Sequence, residues 1–241
     1  MRPLSGSSSA REREERRKRG VLRADAMMVG MSENPVVMWN RDPAESPEAP
    51  LLVLFHGFGS NEQDLMGLVP QLPQDFVVAS VRAPLAQPPG YSWFPLYDEE
   101  AFGPDAIRAA VEPRVGWLRE QAEGRPSTTL LGFSQGMSIA TSLVRAMPSE
   151  ITAVIGLSGF VVPEPLEIFR DDELKEKPFK LFWGRDPQDP IVNDQLVDMT
   201  AEWLVEHADT MKVHYQGIGH SVSPQEIGHV NEYLTRMVLG R

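Results

Sequence analysis

The stretch GFSQG, residues 132–136, closes an apolar run, TTLL, and opens a helix-like one, MSIATSLV. A serine between glycines at such a junction fits the G-x-S-x-G elbow, a turn so tight that its flanking residues must be small and its serine projects from the tip. The helix start that follows supplies positive potential and N–H groups. A serine hydroxyl attacks only when a base takes its proton, and the base needs an acid to orient it. With this elbow the chain order is Ser, then Asp or Glu, then His.

Five histidines are available. His56 precedes Ser134 and has the wrong order; it reads as a packed, hydrogen-bonded support for its own loop. His207 is expected at the surface near a helix end, His214 lies in a strand-like run, and His229 lies in the last helix. His220, in the loop GIGHSVS (217–223), follows a strand and is flanked by residues that let the chain bring an imidazole over a sheet edge. It is the candidate base. The acid is expected after the strand KLFWG, where GRDPQDPIV offers Asp186 and Asp189. Both precede proline and so lie in turn-like backbone, and the pattern does not choose between them. Backbone donors for a tetrahedral oxyanion are expected from Gln135, the residue after the serine, and from Phe58 in the Gly-rich turn HGFGS.

These groups need a sheet to hold them. VVMW (36–39), LLVLF (51–55), FVVAS (76–80), TTLLG (128–132), AVIGLS (153–158), KLFWG (180–184) and KVHY (212–215) read as strands. Helix-like stretches lie near 62–70, 104–123, 135–147, 193–208 and 224–239, the last opening with Ser223-Pro224 as cap and first-turn proline. Continuous apolar runs such as LLVLF are expected of strands buried on both faces. Strand–helix alternation predicts an α/β protein with a mostly parallel sheet. Pro and Gly cluster at 82–104 and Pro at 161–178, and these stretches read as two long loops.

The chain has 241 residues, enough for one large α/β domain, and a net charge of −11 that argues against nucleic-acid binding. With no cysteine, disulfides, thiolate nucleophiles and Cys-held metals are excluded. No His-x-x-x-His pattern suggests a metal site. No apolar run approaches 18 residues and the N-terminus lacks a secretory h-region, so a cytoplasmic protein without integral membrane association is expected. Residues 1–26 carry eight Lys/Arg against four Asp/Glu. We expect residues 1–34 to be a disordered basic extension and 35–241 to be the folded domain.

Several ordered motifs then resemble one family. HGFGSNEQDL (56–65), GYSWF (90–94), GFSQG (132–136), LSGF (157–160), DPIV (189–192) and GHS (219–221) are similar to the phospholipase/carboxylesterase family of α/β hydrolases, which includes acyl-protein thioesterases. The resemblance spans roughly residues 35–240. It implies an α/β-hydrolase fold with helices on both faces and a minimal cap. It also implies no cofactor, and a serine esterase acting on small-molecule esters of short to medium acyl chains. By position, Ser134 is the nucleophile, His220 the base, Phe58 and Gln135 the oxyanion donors, and the Asp-Pro-x-Val motif points to Asp189 as the acid. Here Gly184 stands five residues before Asp189, more than is usual in the family, which keeps Asp186 as an alternative. Trp93 and Phe94 match the family's aromatic pair beside the acyl site; simple packing of a long loop is the competing reading. A lysophospholipase or acyl-protein thioesterase would need a longer groove, for which Leu85, Trp93, Phe94, Phe160, Val161 and Val162 are candidates. A homodimer is compatible with the sequence. A non-catalytic binding protein on this scaffold is the reading of another class, and the full Ser/Asp/His set argues against it.

Overall fold

Leu51–Phe55 has no polar residue to turn toward water, and all five side chains are fully buried. In the computed structural model, which describes residues 34–96, 103–163 and 165–241, this segment is strand β2 in the interior of the sheet. The other strands are β1 (Val37–Trp39), β3 (Val77–Val81), β4 (Leu85–Gln87), β5 (Gly90–Ser92), β6 (Thr128–Phe133), β7 (Ala153–Leu157), β8 (Phe179–Arg185) and β9 (Ala208–His214). The main sheet has seven strands in the order β1-β3-β2-β6-β7-β8-β9. Only β1 pairs antiparallel; all other neighbours are parallel. Five helices are described: α1 (Pro104–Ala122), α2 (Gln135–Ala146), α3 (Asp171–Glu176), α4 (Asp194–His207) and α5 (Pro224–Tyr233).

Alternate residues of β2 face opposite sides of the sheet, and each side has its own core. Leu51, Val53 and Phe55 pack with Ile107, Val111 and Leu118 of α1, Leu143 of α2, Leu174 of α3 and Leu204 of α4. Leu52 and Leu54 pack with Leu65, Val69, and Ile227, Val230 and Tyr233 of α5. Helices therefore cover both faces, as parallel strands demand. Every residue of α2 is buried. Two of its polar side chains turn to carbonyls: Ser138 Oγ donates to Phe160 O at 3.0 Å and Thr141 Oγ1 to Met137 O at 2.9 Å.

Several segments depart from the sequence expectation. The helix expected over 62–70 is a 3-10 helix, Leu65–Gln71, with Pro70 inside it. That proline has no N–H and crowds the carbonyl four residues back, which disfavours an α-helical end. The last helix is α-helical to Tyr233 and then widens into a π turn over Leu234–Val238, with Leu239 N–H donating to Leu234 O at 3.0 Å. The loop expected at 82–104 contains the β4–β5 hairpin, and the one at 161–178 contains the six-residue α3, the only helix among the described residues between β7 and β8. Part of the first loop, residues 97–102, and the basic segment 1–33 lie outside the described residues.

Candidate active site

Because their strands are parallel, Phe55, Phe133, Leu157, Arg185 and His214 end β2, β6, β7, β8 and β9 at one edge of the sheet. Ligands of open α/β sheets bind beyond that edge. A recess of about 620 Å³, lined by Arg119, Arg125, Glu150 and Thr152 among others, opens at the opposite, amino end, beside the start of β6. The chemistry-bearing loops are at the carboxyl edge.

Ser134 stands between β6 and α2 with φ 53° and ψ −121°, a conformation that L residues rarely adopt. Its N–H donates to Leu157 O at 2.9 Å, which ties the turn to β7. A Cβ on Gly132 would collide with the backbone of Gly136, and one on Gly136 would collide with Phe55 O. The two glycines of the motif are therefore required by the close approach of chain to chain, and the serine is pushed out at the tip. Ser134 is buried but for 7% of its surface.

His220 Nε2 lies 2.9 Å from Ser134 Oγ, and His220 Nδ1 lies 2.7 Å from Asp189 Oδ2. The hydroxyl donates to Nε2, and Nδ1–H donates to the carboxylate. The imidazole side chain is 17% exposed and the Asp189 side chain 1%, so the acid is sealed beneath the ring. The Phe133 ring packs against His220 at a centroid distance of 5.0 Å. Asp189 Oδ1 accepts from Ile191 N–H at 2.8 Å and Val192 N–H at 3.4 Å, which fixes the turn that presents it. Asp186, the other candidate acid, bonds elsewhere. Its Oδ1 accepts from Gln188 N–H at 2.9 Å and its Oδ2 from Gly219 N–H at 2.7 Å. Those two N–H groups hold its carboxyl below the usual carboxylate range.

The turn after β2 comes up against the serine. A Cβ on Gly57 would stand 3.4 Å from Ser134 Cβ and 3.0 Å from Phe133 Cδ1. Ser60 N–H donates to Gly57 O at 3.3 Å and Gly59 has φ 75°, so Phe58 is the second residue of a turn whose third must be left-handed. β5 braces this turn: Gly59 N–H donates to Tyr91 O at 2.8 Å, and Tyr91 N–H to Ser60 O at 2.7 Å. His56 is fully buried, donates from Nδ1 to Gly57 O at 2.8 Å and accepts from Ala83 N–H at Nε2 at 3.1 Å. Burial lowers its pKa and keeps the ring neutral. It is the loop support that the sequence suggests.

Gln135 opens α2, whose first N–H groups have no acceptor one turn back. Its side chain is also occupied, accepting from Trp93 N–H at 3.0 Å and donating to Phe94 O at 2.7 Å. Trp93 Nε1–H donates to His56 O at 2.8 Å. Trp93 and Phe94 are 1% and 0% exposed. Here their placement departs from the expected substrate contact: the rings are core, and Trp93, edge-on to Phe55 at 5.4 Å and 5.4 Å from the His56 ring, braces the end of β2. Phe160, Val161 and Val162 are likewise buried, and of the six groove candidates only Leu85 is partly exposed.

His207, expected at the surface, is buried and stacked on Trp203 at 4.2 Å, its Nδ1 2.6 Å from Trp203 O. Two further residues beside the site escaped the sequence reading. Ser158, with φ 47°, donates from Oγ to Ser221 O at 3.3 Å, linking the end of β7 to the His220 loop. Glu226 is fully buried, and neither carboxyl oxygen has a partner at hydrogen-bonding geometry among the described residues. Burial pushes its pKa up to about 7, against a smaller pull from the Ser223 backbone N–H. The S-x-x-E spacing of a capping box, Ser223 to Glu226, was its available signal.

The model of the phospholipase/carboxylesterase family matches residues 41–238. The chain is 24% identical to acyl-protein thioesterase 1 of Kluyveromyces lactis over 79% of this chain and 92% of that protein. It is 33% identical to esterase YpfH of Escherichia coli over 48% of this chain and 55% of that one. Its fold is similar to that of a Bacillus cereus carboxylesterase, with a TM-score of 0.69 at 20% identity, covering 84% of this chain and 94% of the other. No described helix is long and apolar enough to cross a membrane. The elbow, the sheet around it and a match over most of the chain agree, and the protein belongs to the phospholipase/carboxylesterase family of α/β hydrolases.

Proposed function

We propose that the protein is a serine carboxylesterase that cleaves small-molecule esters of short to medium acyl chains through an acyl-enzyme. The observation that carries this reading is the continuous path from Asp189 through His220 to Ser134, at 2.7 and 2.9 Å. His220 Nε2 takes the Ser134 proton as Oγ attacks the ester carbonyl. Asp189 holds the imidazole through Nδ1 and stabilises the cation. The Phe58 and Gln135 N–H groups receive the tetrahedral oxyanion. His220 protonates the departing alcohol, then activates a water that releases the acid and restores the serine. No cofactor enters the scheme.

The chain-length assignment rests on burial. Trp93, Phe94, Phe160, Val161 and Val162 are committed to the core, so none of these five offers its surface to a long acyl chain. The match to a thioesterase over most of its length favours a second reading, hydrolysis of longer acyl thioesters or lysophospholipids. Hydrolysis of p-nitrophenyl esters from acetate to palmitate, beside Ser134→Ala, separates them. Wild-type turnover greatest on acetate to hexanoate and abolished in the folded Ser134→Ala protein is the expected result. A preference for palmitate would replace it with the second reading. Full activity in Ser134→Ala would refute the serine mechanism, and no turnover on any chain would return weight to a binding role.

A further inference from the structure

The acid turn reads DPQDP, two Asp-Pro steps three residues apart, and its two carboxylates behave alike. Each accepts at Oδ1 from its own turn: Asp186 from Gln188 N–H at 2.9 Å, Asp189 from Ile191 N–H at 2.8 Å. Each accepts at Oδ2 from the facing loop, and from consecutive residues of it: Asp186 from Gly219 N–H and Asp189 from His220 Nδ1–H, both at 2.7 Å. Both carboxylates are buried. Their targets lie in a loop that contains two left-handed glycines, Gly217 with φ 82° and Gly219 with φ 60°. Such glycines let the chain pivot. Beside the His220–Ser134 contact, Ser158 Oγ also ties that loop to the end of the sheet, donating to Ser221 O at 3.3 Å.

We propose that Asp186 is a positioning residue: its carboxylate straps the loop bearing His220 to the turn bearing Asp189, so that ring and acid stay in register while the imidazole gains and loses its proton. This rests on the triad assigned under the proposed function. Asp186 does not touch the reacting atoms and acts through His220. Both of its oxygens are committed to backbone N–H groups, which is why it does not serve as the acid despite standing three residues from it. The enlarged turn between Gly184 and Asp189 thus has a use: the extra length carries a second carboxylate to the same loop.

The test uses Asp186→Asn. Asparagine still caps the turn through its carbonyl oxygen, but it turns an NH₂ toward Gly219 N–H and breaks the strap. The expected result is a loss of roughly 10- to 100-fold in kcat with KM little changed. Turnover is counted per site titrated with a fluorophosphonate, so that unfolded protein is not scored. The low-field proton signal of His220 Nδ1–H should broaden in this variant while its melting temperature stays within a few degrees of wild type. Asp186→Ser, which caps the turn but does not reach Gly219, should behave the same way. Wild-type kcat per site in folded Asp186→Asn would overturn the proposal. So would activity surviving in Asp189→Asn but not in Asp186→Asn, which would make Asp186 the acid. Activity surviving in Ser134→Ala would instead overturn the serine mechanism itself. Hydrogen exchange at the Gly219 amide of the wild-type protein decides the matter if neither variant folds. Exchange slower than the intrinsic rate of an unprotected amide supports the strap, and exchange at that intrinsic rate refutes it.

Discussion

Ser134 occupies a backbone conformation that costs on the order of 1–3 kcal/mol, and its surroundings enforce it. Gly132 and Gly136 admit contacts that no side chain would, and the Leu157 carbonyl holds the serine N–H. Asp189 is enforced in the same way, by two backbone N–H groups on one oxygen and the imidazole on the other. Asp189→Asn should therefore keep the fold and lower kcat by about 10³- to 10⁴-fold, since an amide NH₂ facing Nδ1 favours the wrong tautomer. Steady-state kinetics on p-nitrophenyl acetate measures this, and a loss under tenfold would contradict the assignment. Ser134 and His220 were legible in the sequence because one sits at a strand–helix junction and the other in a loop after a later strand. Asp186 and Asp189 were not separable by pattern, since both precede proline three residues apart. Their difference lies in which atom of the facing loop each reaches. Trp93 and Phe94 show the converse limit: a motif match names the residues but not the side of the backbone to which the rings turn.

At the scale of elements, the elbow works because β6 and α2 are each fixed independently. β6 lies between β2 and β7, and α2 is buried along its whole length. These elements carry strong apolar runs and were readable. The β4–β5 hairpin was not, because its three-residue strands are too short to show alternation, yet it supports the turn that bears Phe58. The 3-10 helix at Leu65–Gln71 was read as a regular helix because apolar spacing outweighed Pro70. Helix α5 adds a buried titratable group, Glu226, whose carboxyl packs against Gly184 of β8. The Glu226 pKa is raised from 4.5 to about 7 by burial, so the folded protein holds its proton more tightly than the unfolded chain. Between those values the folded state binds more protons, and stability falls as pH rises, with the full loss reached above about 7. The shift corresponds to an effect on the order of 3 kcal/mol. Glu226→Gln, which does not ionise, should lose less stability than wild type between pH 5 and pH 8 in urea unfolding. An equal loss in both proteins between the two pH values would show that folding does not raise the Glu226 pKa.

For the molecule as a whole, the sheet collects loops from the ends of β2, β6, β7 and β8 and from the stretch after β9 at one edge, and the site residues fall between Gly57 and His220. Residues 1–26, outside the described residues, carry eight basic residues against four acidic ones. Removing residues 1–26 should leave kcat/KM on a short ester within about twofold and the melting temperature within a few degrees. A large loss of activity would give that segment a part in the site. The fold class was readable from the alternation of buried runs and helices. The chain length of the acyl group was not, because it depends on how much apolar surface stays open once Trp93, Phe94 and Phe160–Val162 have packed.

The most direct test is covalent. The protein, incubated with a fluorophosphonate and digested, should carry a single modification on the peptide containing Ser134. Labelling should stop ester turnover in proportion and be absent in Ser134→Ala. Label on another serine, or undiminished turnover in protein fully labelled at Ser134, would contradict the mechanism at its centre.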